Sequence, residues 1–350
     1  MPVLSYHEQQ DRKIYKKLHE FIDMLPPFCR TFFTGIEPRT QARTRLAYAY
    51  DLSIFFSYLI KLNPLYKNYS CSDFTLEDVA AVTPQDIEEY MEYLKYRPDE
   101  DDGEIANKES AIKRKISSLK SFYNYLYEKE MIDKNPAALV KLPKIHSKEI
   151  IRLDYNEVAE LLDEVDSGES LTKQQKVFHN KTKKRDLAIL SLLLGTGMRI
   201  SECIGIDLKD IDIEETAVRI HRKGGKEETV YFSDEVAAAV SEYMEERRLM
   251  HPASGDENAL FLSLQNRRMS VRSAELMVKK YASIVTPLKH ITPHKLRSTY
   301  GTNLYRETGD IYLVADVLGH NDVNTTKKHY AAIDETKRRD ARKAVKLREN

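Results

Sequence analysis

The chain has no tryptophan, three cysteines, twelve glycines and twelve prolines in 350 residues. The missing tryptophan decides nothing. Cys29, Cys71 and Cys203 are odd in number and far apart, which argues against a disulfide framework and for a reducing cytoplasm. No CxxC pair exists, so a cysteine-type zinc site is excluded. Few glycines and prolines favour a helix-rich fold. No apolar run approaches the roughly 18 residues of a membrane span. The start, MPVLSYHEQQDRK, also lacks the basic-then-apolar order of a secretion signal.

What is present suffices for two cores: 41% of residues are hydrophobic, 31% are charged, and the length is that of two domains. Lys+Arg and Asp+Glu are equal at 55 each, a neutral mean that by itself suggests no nucleic-acid partner. The charges are nevertheless uneven. Acid gathers over 84–104, ending in Asp99, Glu100, Asp101, Asp102 and Glu104. Base gathers at Arg43 and Arg45, in Lys113-Arg114-Lys115 with Lys120, in Lys141, Lys144 and Lys148, in Lys181 to Arg185, and in Lys337 to Arg348. A charge run is usually a solvated face; several in a neutral chain fit one basic surface and an acidic back.

The first half reads as helices. In 41–60, Leu46, Tyr50, Ile54 and Leu59 form a helical stripe, and in 108–128 Ile112, Ile116, Leu119, Phe122 and Leu126 form another. Thr83-Pro84-Gln85-Asp86 carries the cap, proline and acid of a helix start. Arg97 to Gly103 reads as an acidic loop, and Asn135-Pro136 as the stop of the last helix. The stretch 141–152 reads as a linker. Asp154 and Glu157 then form a capping-box pattern, and the helix beginning Arg185-Asp186 is apolar nearly all round, hence central to a core. From 217 the period changes to two, and 217–222 with 228–232 around Gly224-Gly225 read as a hairpin. Helices follow at about 234–247, 270–283, 294–308, 311–318 and 323–332.

Three places on this frame could carry chemistry. His294 and Arg297 are three apart at a helix start, so they share a face at a natural phosphate seat. Arg199 follows the Gly195-Thr196-Gly197 turn, with Glu202 one turn on to orient it; this is not a Walker motif, which needs Gly-Lys-Ser/Thr. Lys223 stands at the hairpin tip. The first of the three places extends on to His320, which follows Gly319, and to Tyr330, ten residues later. Singly, each has an ordinary structural reading.

Together and in that order, Arg199, Lys223, His294, Arg297, His320 and Tyr330 resemble the six-residue active site of the tyrosine recombinases. The wording around them is similar too: GTGMRISE, RKGGKEE, TPHKLRST, LGHNDVNTT and then Tyr330. Thr44, Tyr48, Asp51, Leu52 and Phe55, the KRKISSLKSFYNYL helix and Asn135-Pro136 look like the family's N-terminal core-binding domain. The RKGGK hairpin and FLSL…NRRMSVRSAE look most like the solitary Xer-type, XerS-like, recombinases. Two departures stand out: the family commonly separates its second histidine and tyrosine by nine residues, and Ser298 stands where many relatives carry another histidine.

The resemblance implies a mainly α fold with a small antiparallel β-sheet, arranged as a two-domain clamp on DNA. Residues 1–140 would be the helical core-binding domain, 141–152 a linker, 153–335 the α/β catalytic domain, and 336–350 a basic tail exchanged in trans. Tyr330 would be the nucleophile, making a 3′-phosphotyrosine link and freeing a 5′-hydroxyl that Lys223 protonates. His294 would assist as base and phosphate ligand, and His320 would hydrogen-bond the phosphate. Arginines suit the grip on the nonbridging oxygens, because a guanidinium binds phosphate bidentately and stabilises the extra charge of the transition state. No ATP, metal or other cofactor is expected. Arg43, Arg45, Lys113, Arg114, Lys115, Lys120 and Lys144 are the candidate DNA contacts.

The implied partners are double-stranded DNA with an inverted-repeat site, a homotetramer on two duplexes working through a Holliday junction, and an accessory regulator protein. No membrane is involved; the place of action would be the cytoplasm, on the nucleoid. Chromosome dimer resolution is the reading, with integration or excision of a mobile element as the alternative. A type IB topoisomerase or a non-catalytic DNA-binding relative fits less well. The Xer-like N-terminal wording argues against the first, and retention of all six polar residues against the second.

Overall fold

The computed structural model describes residues 5–98, 104–144, 151–222, 225–319 and 323. The chain divides into two compact units, 1–148 and 149–350, each with its own core.

In the first unit α1 (Tyr6–Asp23), α2 (Cys29–Ile36), α3 (Ala42–Leu62), α4 (Leu76–Ala81) and α5 (Pro84–Lys95) precede a two-stranded hairpin. The strands are β1 (Tyr96–Pro98) and β2 (Glu104–Ala106), with α6 (Glu109–Glu128) and α7 (Pro136–Leu139) after them. Starts are written locally: Ser5 with Glu8, Thr75 with Asp78 and Thr83 with Asp86 all close reciprocal capping boxes. α3 packs against α1 and α6, and the core is aromatic, with Phe32, Phe55, Phe56, Phe122 and Tyr90 fully buried. Phe32 meets Phe122 edge-on at 5.3 Å, an arrangement the ring quadrupoles favour.

One polar cluster crosses this core. Asp51 on α3 is buried and takes two bonds from the Arg114 guanidinium on α6 (2.5 and 2.7 Å) and one from Ser118 Oγ (2.7 Å). The Lys115 ammonium lies 3.9 Å away. Arg114 is half-exposed, but Lys115 is buried.

Two expectations are corrected here. The segment expected as an acidic loop from Arg97 to Gly103 starts inside a strand: Arg97 and Pro98 belong to β1, which pairs antiparallel with β2, Tyr96 opposite Ala106 and Arg97 opposite residue 105. Residues 99–103 lie outside the described residues. Three-residue strands rich in charge and proline carry no readable alternation, so the periodic signal was absent. Asn135-Pro136 does not stop the long helix. α6 ends at Glu128, Glu130 turns the chain with φ +55°, and the Asn135 side chain caps α7 by accepting from the Ala138 N–H. Proline at a first helical position starts helices as readily as it ends them.

The second unit contains α8 (Tyr155–Ser167), α9 (Lys173–His179), α10 (Lys183–Thr196) and α11 (Ile200–Ile204). The strands β3 (Ile211–Asp212), β4 (Ala217–His221) and β5 (Glu227–Tyr231) follow. Next come α12 (Asp234–Arg248), α13 (Val271–Val285), α14 (Pro293–Thr308) and α15 (Ile311–Val317). The expected capping box of Asp154 and Glu157 opens α8. α10 is buried from Ala188 to Leu193 and packs against α8, α12 and α14, as its all-round apolarity implied. The hairpin is present in the register Ala217 to Tyr231 through His221 to Glu227. It is joined by β3, which the sequence reading did not foresee, into a sheet of order β3-β4-β5. The expected helix at 323–332 and the tail 336–350 lie outside the described residues, apart from residue 323.

A second buried polar cluster ties α9, α10 and α13. Asp186 accepts from Arg185, from Thr182 Oγ1 (3.0 Å) and from the Tyr281 hydroxyl (3.2 Å), and Lys280 stands 3.8 Å away. The Tyr281 proton is thereby engaged, so its oxygen accepts from Nδ1 of buried His179 at 3.1 Å. Burial, and after it Lys280, hold His179 below the usual histidine range; Asp186, Lys183 and a backbone bond at Asp166 are the other influences on it.

Two outcomes follow from these clusters. Asp51→Ala leaves the Lys115 charge buried without its partner, and is expected to cost about 3 kcal/mol in urea denaturation. Arg114→Ala, at a half-exposed position, should cost clearly less; equal losses would contradict this division. His179 binds a proton less readily when folded than in the unfolded chain, which takes one up near pH 6.5. Stability is therefore lost as pH falls through that value. His179→Gln should flatten the fall in melting temperature between about pH 7.5 and 5.5, and an unchanged slope would show that other groups carry it.

Candidate active site

α10 ends because Gly197 adopts φ +66° at its C-cap. A side chain there would collide with Tyr300, 2.4 Å from an added Cβ, and with Leu318 at 2.8 Å. Only glycine lets the turn come so close to α14 and the end of α15. Two residues on, Arg199 precedes α11. Its N–H donates to Glu202 Oε2 (2.8 Å) and its guanidinium to Oε1 (2.7 Å), so the carboxylate orients the arginine as the spacing predicted. The Arg199 side chain keeps 38% exposure while that of Glu202 is 4% exposed. Arg199 can therefore meet a ligand while its partner stays inside.

Arg297 sits on α14 with the whole residue 5% exposed. Its guanidinium donates to the Gly197 carbonyl at 2.6 Å and to the Leu318 carbonyl. One arginine thus binds the turn that delivers Arg199 to the turn that follows α15. His294, one helical turn earlier, is exposed, and its carbonyl accepts from Ser298 Oγ at 3.0 Å. Ser298 accordingly bonds back onto its own helix. The structure joins Arg199, Glu202 and Arg297 through one network; Lys223, His320 and Tyr330 lie outside the described residues.

Sequence reasoning missed the member that links this network together. Arg222, at the end of β4, has a side chain only 6% exposed. It donates to both Glu228 oxygens (3.1 and 2.8 Å) and to the carbonyls of Val317 (2.9 Å) and Leu318 (3.2 Å). It also faces Glu202 at 3.6 Å. Gly319, with φ +59°, lies flat against it: a Cβ there would stand 2.9 Å from the guanidinium carbon. The signal was available, because Val218, Ile220 and Arg222 alternate onto one inward face of a period-two strand.

Other reactive groups near the network are quiet. Cys203 on α11 is fully buried, and burial pushes its thiol well up. Tyr300 is likewise pushed up by burial. Among the described residues no three His, Cys, Asp or Glu side chains gather so as to hold a metal ion.

The basic candidates of the first unit separate into two groups. Arg45 is buried, paired with Glu37 at 3.0 Å and stacked over the Tyr15 ring, and Lys115 is buried on Asp51. These two serve the fold, which corrects their expectation as DNA contacts: each is buried on the inward face of its helix against a carboxylate of its own unit. Arg43, Arg114 and Lys144 are exposed, and Lys113 and Lys120 are partly so. Lys120 lines a groove with Arg39, Thr40, Ser117 and Asn124.

Comparison with known proteins identifies the family. Residues 152–337 match the model of the phage integrase family. The chain is 33% identical to the tyrosine recombinase XerC of Caldanaerobacter subterraneus over 94% of its own length and 90% of that protein. It is also 33% identical to the tyrosine recombinase XerS of Streptococcus agalactiae, over 70% of this chain and 74% of that one. Among solved structures, the Tn1549 transposon integrase in complex with transposon right end DNA has a TM-score of 0.65 at 20% identity, covering 91% of this chain and 99% of the other. XerH bound to palindromic difH substrate has a TM-score of 0.61 at 17% identity, covering 82% and 75%. These two likenesses speak to the fold. No helix of the described residues is long and apolar enough to cross a membrane. By its family match and its relatives, the chain belongs to the phage integrase family and is an Xer-type tyrosine recombinase.

Proposed function

We propose that this recombinase cleaves and rejoins double-stranded DNA at an inverted-repeat site, through a 3′-phosphotyrosine on Tyr330 and a Holliday junction, in the manner of chromosome dimer resolution. The observation that carries the chemistry is the pairing of a half-exposed Arg199 with a buried Arg297 through the Gly197 turn. Two guanidiniums held this way can meet both nonbridging oxygens of one phosphodiester and stabilise the added negative charge of a pentacoordinate transition state. A tyrosine hydroxyl, with a pKa of about 10, attacks only where a neighbouring base takes its proton and cations hold the target. His294, on the exposed first turn of α14, is the candidate base and phosphate ligand, and His320 a second hydrogen-bond donor.

Lys223 would protonate the departing 5′-oxygen. Because the phosphotyrosine conserves the energy of the broken bond, resealing needs no ATP. The first unit would hold one face of the duplex through Arg43, Lys113, Arg114, Lys120 and Lys144, contacts that make affinity fall with salt. The second unit would be the catalytic half of the clamp. Two duplexes with two protomers each make a homotetramer, in which the tail 336–350 would dock on a neighbour. The site of action would be the cytoplasm, on the nucleoid.

The test begins with a duplex recovered by selecting random-sequence DNA on the full chain, with the cleaved phosphate mapped on it. Tyr330→Phe is expected to abolish the SDS-resistant protein–DNA adduct and leave duplex binding within a few-fold, since one oxygen is removed. An adduct formed by that variant would place the nucleophile elsewhere. Lys223→Ala should lose cleavage on the ordinary duplex and regain it when the bridging 5′-oxygen is sulfur, because a thiolate leaves without a proton. Failure of sulfur to rescue would take the general-acid role from Lys223.

A further inference from the structure

We propose that Arg222 is a positioning residue for the phosphate grip, setting Arg199 and Arg297 at once through one shared group on each side. The inference rests on the reading of those two arginines as phosphate ligands. On one side the shared group is the Glu202 carboxylate, held by Arg199 at 2.7 and 2.8 Å and faced by Arg222 at 3.6 Å. On the other it is the Leu318 carbonyl, which accepts from Arg297 and from Arg222 at 3.2 Å. Arg222 is the guanidinium that reaches both of these intermediaries.

The arrangement is over-determined. Glu228 binds Arg222 at two nitrogens, the Val317 carbonyl takes a third bond, and Gly319 closes over the guanidinium carbon. A side chain with so many fixed partners has one geometry, and what it holds inherits that geometry. Take Arg222 away and, among the described residues, Arg199 is left to answer the Glu202 charge and Arg297 to bond the Leu318 carbonyl. Each grip arginine is then drawn toward its protein partner and away from a phosphate. The hairpin also loses its bonds to the end of α15. Lys223 follows Arg222 in the chain and His320 follows Gly319, so both candidate residues continue from stretches this clamp fixes.

Lysine cannot substitute. Its single ammonium cannot reach Glu228, Glu202 and two carbonyls together, whereas the forked guanidinium does. A misplacement of the grip by about 1 Å is enough to cost on the order of 100-fold in rate.

The experiment uses the full chain, the selected duplex and two versions of its mapped cleaved phosphate. One is the natural phosphodiester; the other is a methylphosphonate, in which a methyl group replaces one nonbridging oxygen and the negative charge is gone. Adduct formation is followed at saturating duplex, with binding affinity measured alongside. On the phosphodiester, Arg222→Ala should slow adduct formation by on the order of 100-fold while duplex affinity changes only a few-fold. On the methylphosphonate, which asks less of both arginines, the penalty should shrink by at least about tenfold. Arg222→Lys should behave the same way with a smaller penalty, and it carries the test if the alanine variant does not fold.

Arg199→Ala serves as the reference. If its penalty shrinks on the methylphosphonate while that of Arg222→Ala does not, Arg222 is merely structural and the inference is overturned. If Arg199→Ala gains nothing either, the phosphate-grip reading itself fails, and the inference falls with it.

Discussion

The second unit depends on holding like charges close together before any substrate arrives. Arg199, Arg222 and Arg297 are drawn into one network, and guanidiniums repel one another strongly where water is excluded. The fold answers this with the buried carboxylate of Glu202 between two of the arginines, with Glu228 on Arg222, and with backbone carbonyls at Gly197, Val317 and Leu318 for other donors. Carbonyls are well suited to the task, because they take a hydrogen bond without cancelling charge. The guanidiniums are thus oriented without being neutralised one for one, which is the condition for a site that must bind an anion.

Those carbonyls come from chain ends, and that explains much of the surrounding architecture. Gly197 closes α10, the most buried helix of the unit, so the turn before Arg199 is anchored in the core. Val317 and Leu318 close α15, where the unpaired carbonyls of a helix C-terminus carry partial negative charge and favour cations. The short apolar helix therefore has a polar purpose: it presents carbonyls. Glycines at 197 and 319 are required because both turns run within contact of another side chain, Tyr300 in one case and Arg222 in the other.

Much of this was legible in the sequence. The all-round apolarity of α10, the caps at Thr83 and Asp154 and the change to period two at 217 each placed an element correctly, because each is a local pattern with a local cause. Arg199 with Glu202 was legible for the same reason, three residues apart on one turn. The β1–β2 pair was illegible because three-residue strands carry no period. β3 is shorter still and exists only because β4 offers it an edge. Arg222 was overlooked for a different reason: its pattern was present, but its role shows only with its distant partners, the Val317 and Leu318 carbonyls 95 and 96 residues away.

Arg45 and Lys115 show the same rule in the first unit. Ala42, Arg45, Ala49 and Leu52 fall on one helical face, as do Ile112, Lys115, Ile116 and Leu119, so both cations lie within the apolar stripe and were bound inward by geometry. Charge counting treated them like Arg43 and Lys113, their solvated neighbours. Periodicity, applied to the charged residues as well as the apolar ones, separates a cation that builds the fold from one that can meet a phosphate. The separation holds in both units: Arg222 and Lys115 occupy inward positions and bind protein groups, whereas Arg199 and Lys113 keep part of their surface free. A basic residue in this chain is therefore best assigned by its register first and its partners second: Arg297 also lies inward, but the groups it bonds at Gly197 and Leu318 are carbonyls, whereas Arg45 and Lys115 lie against carboxylates.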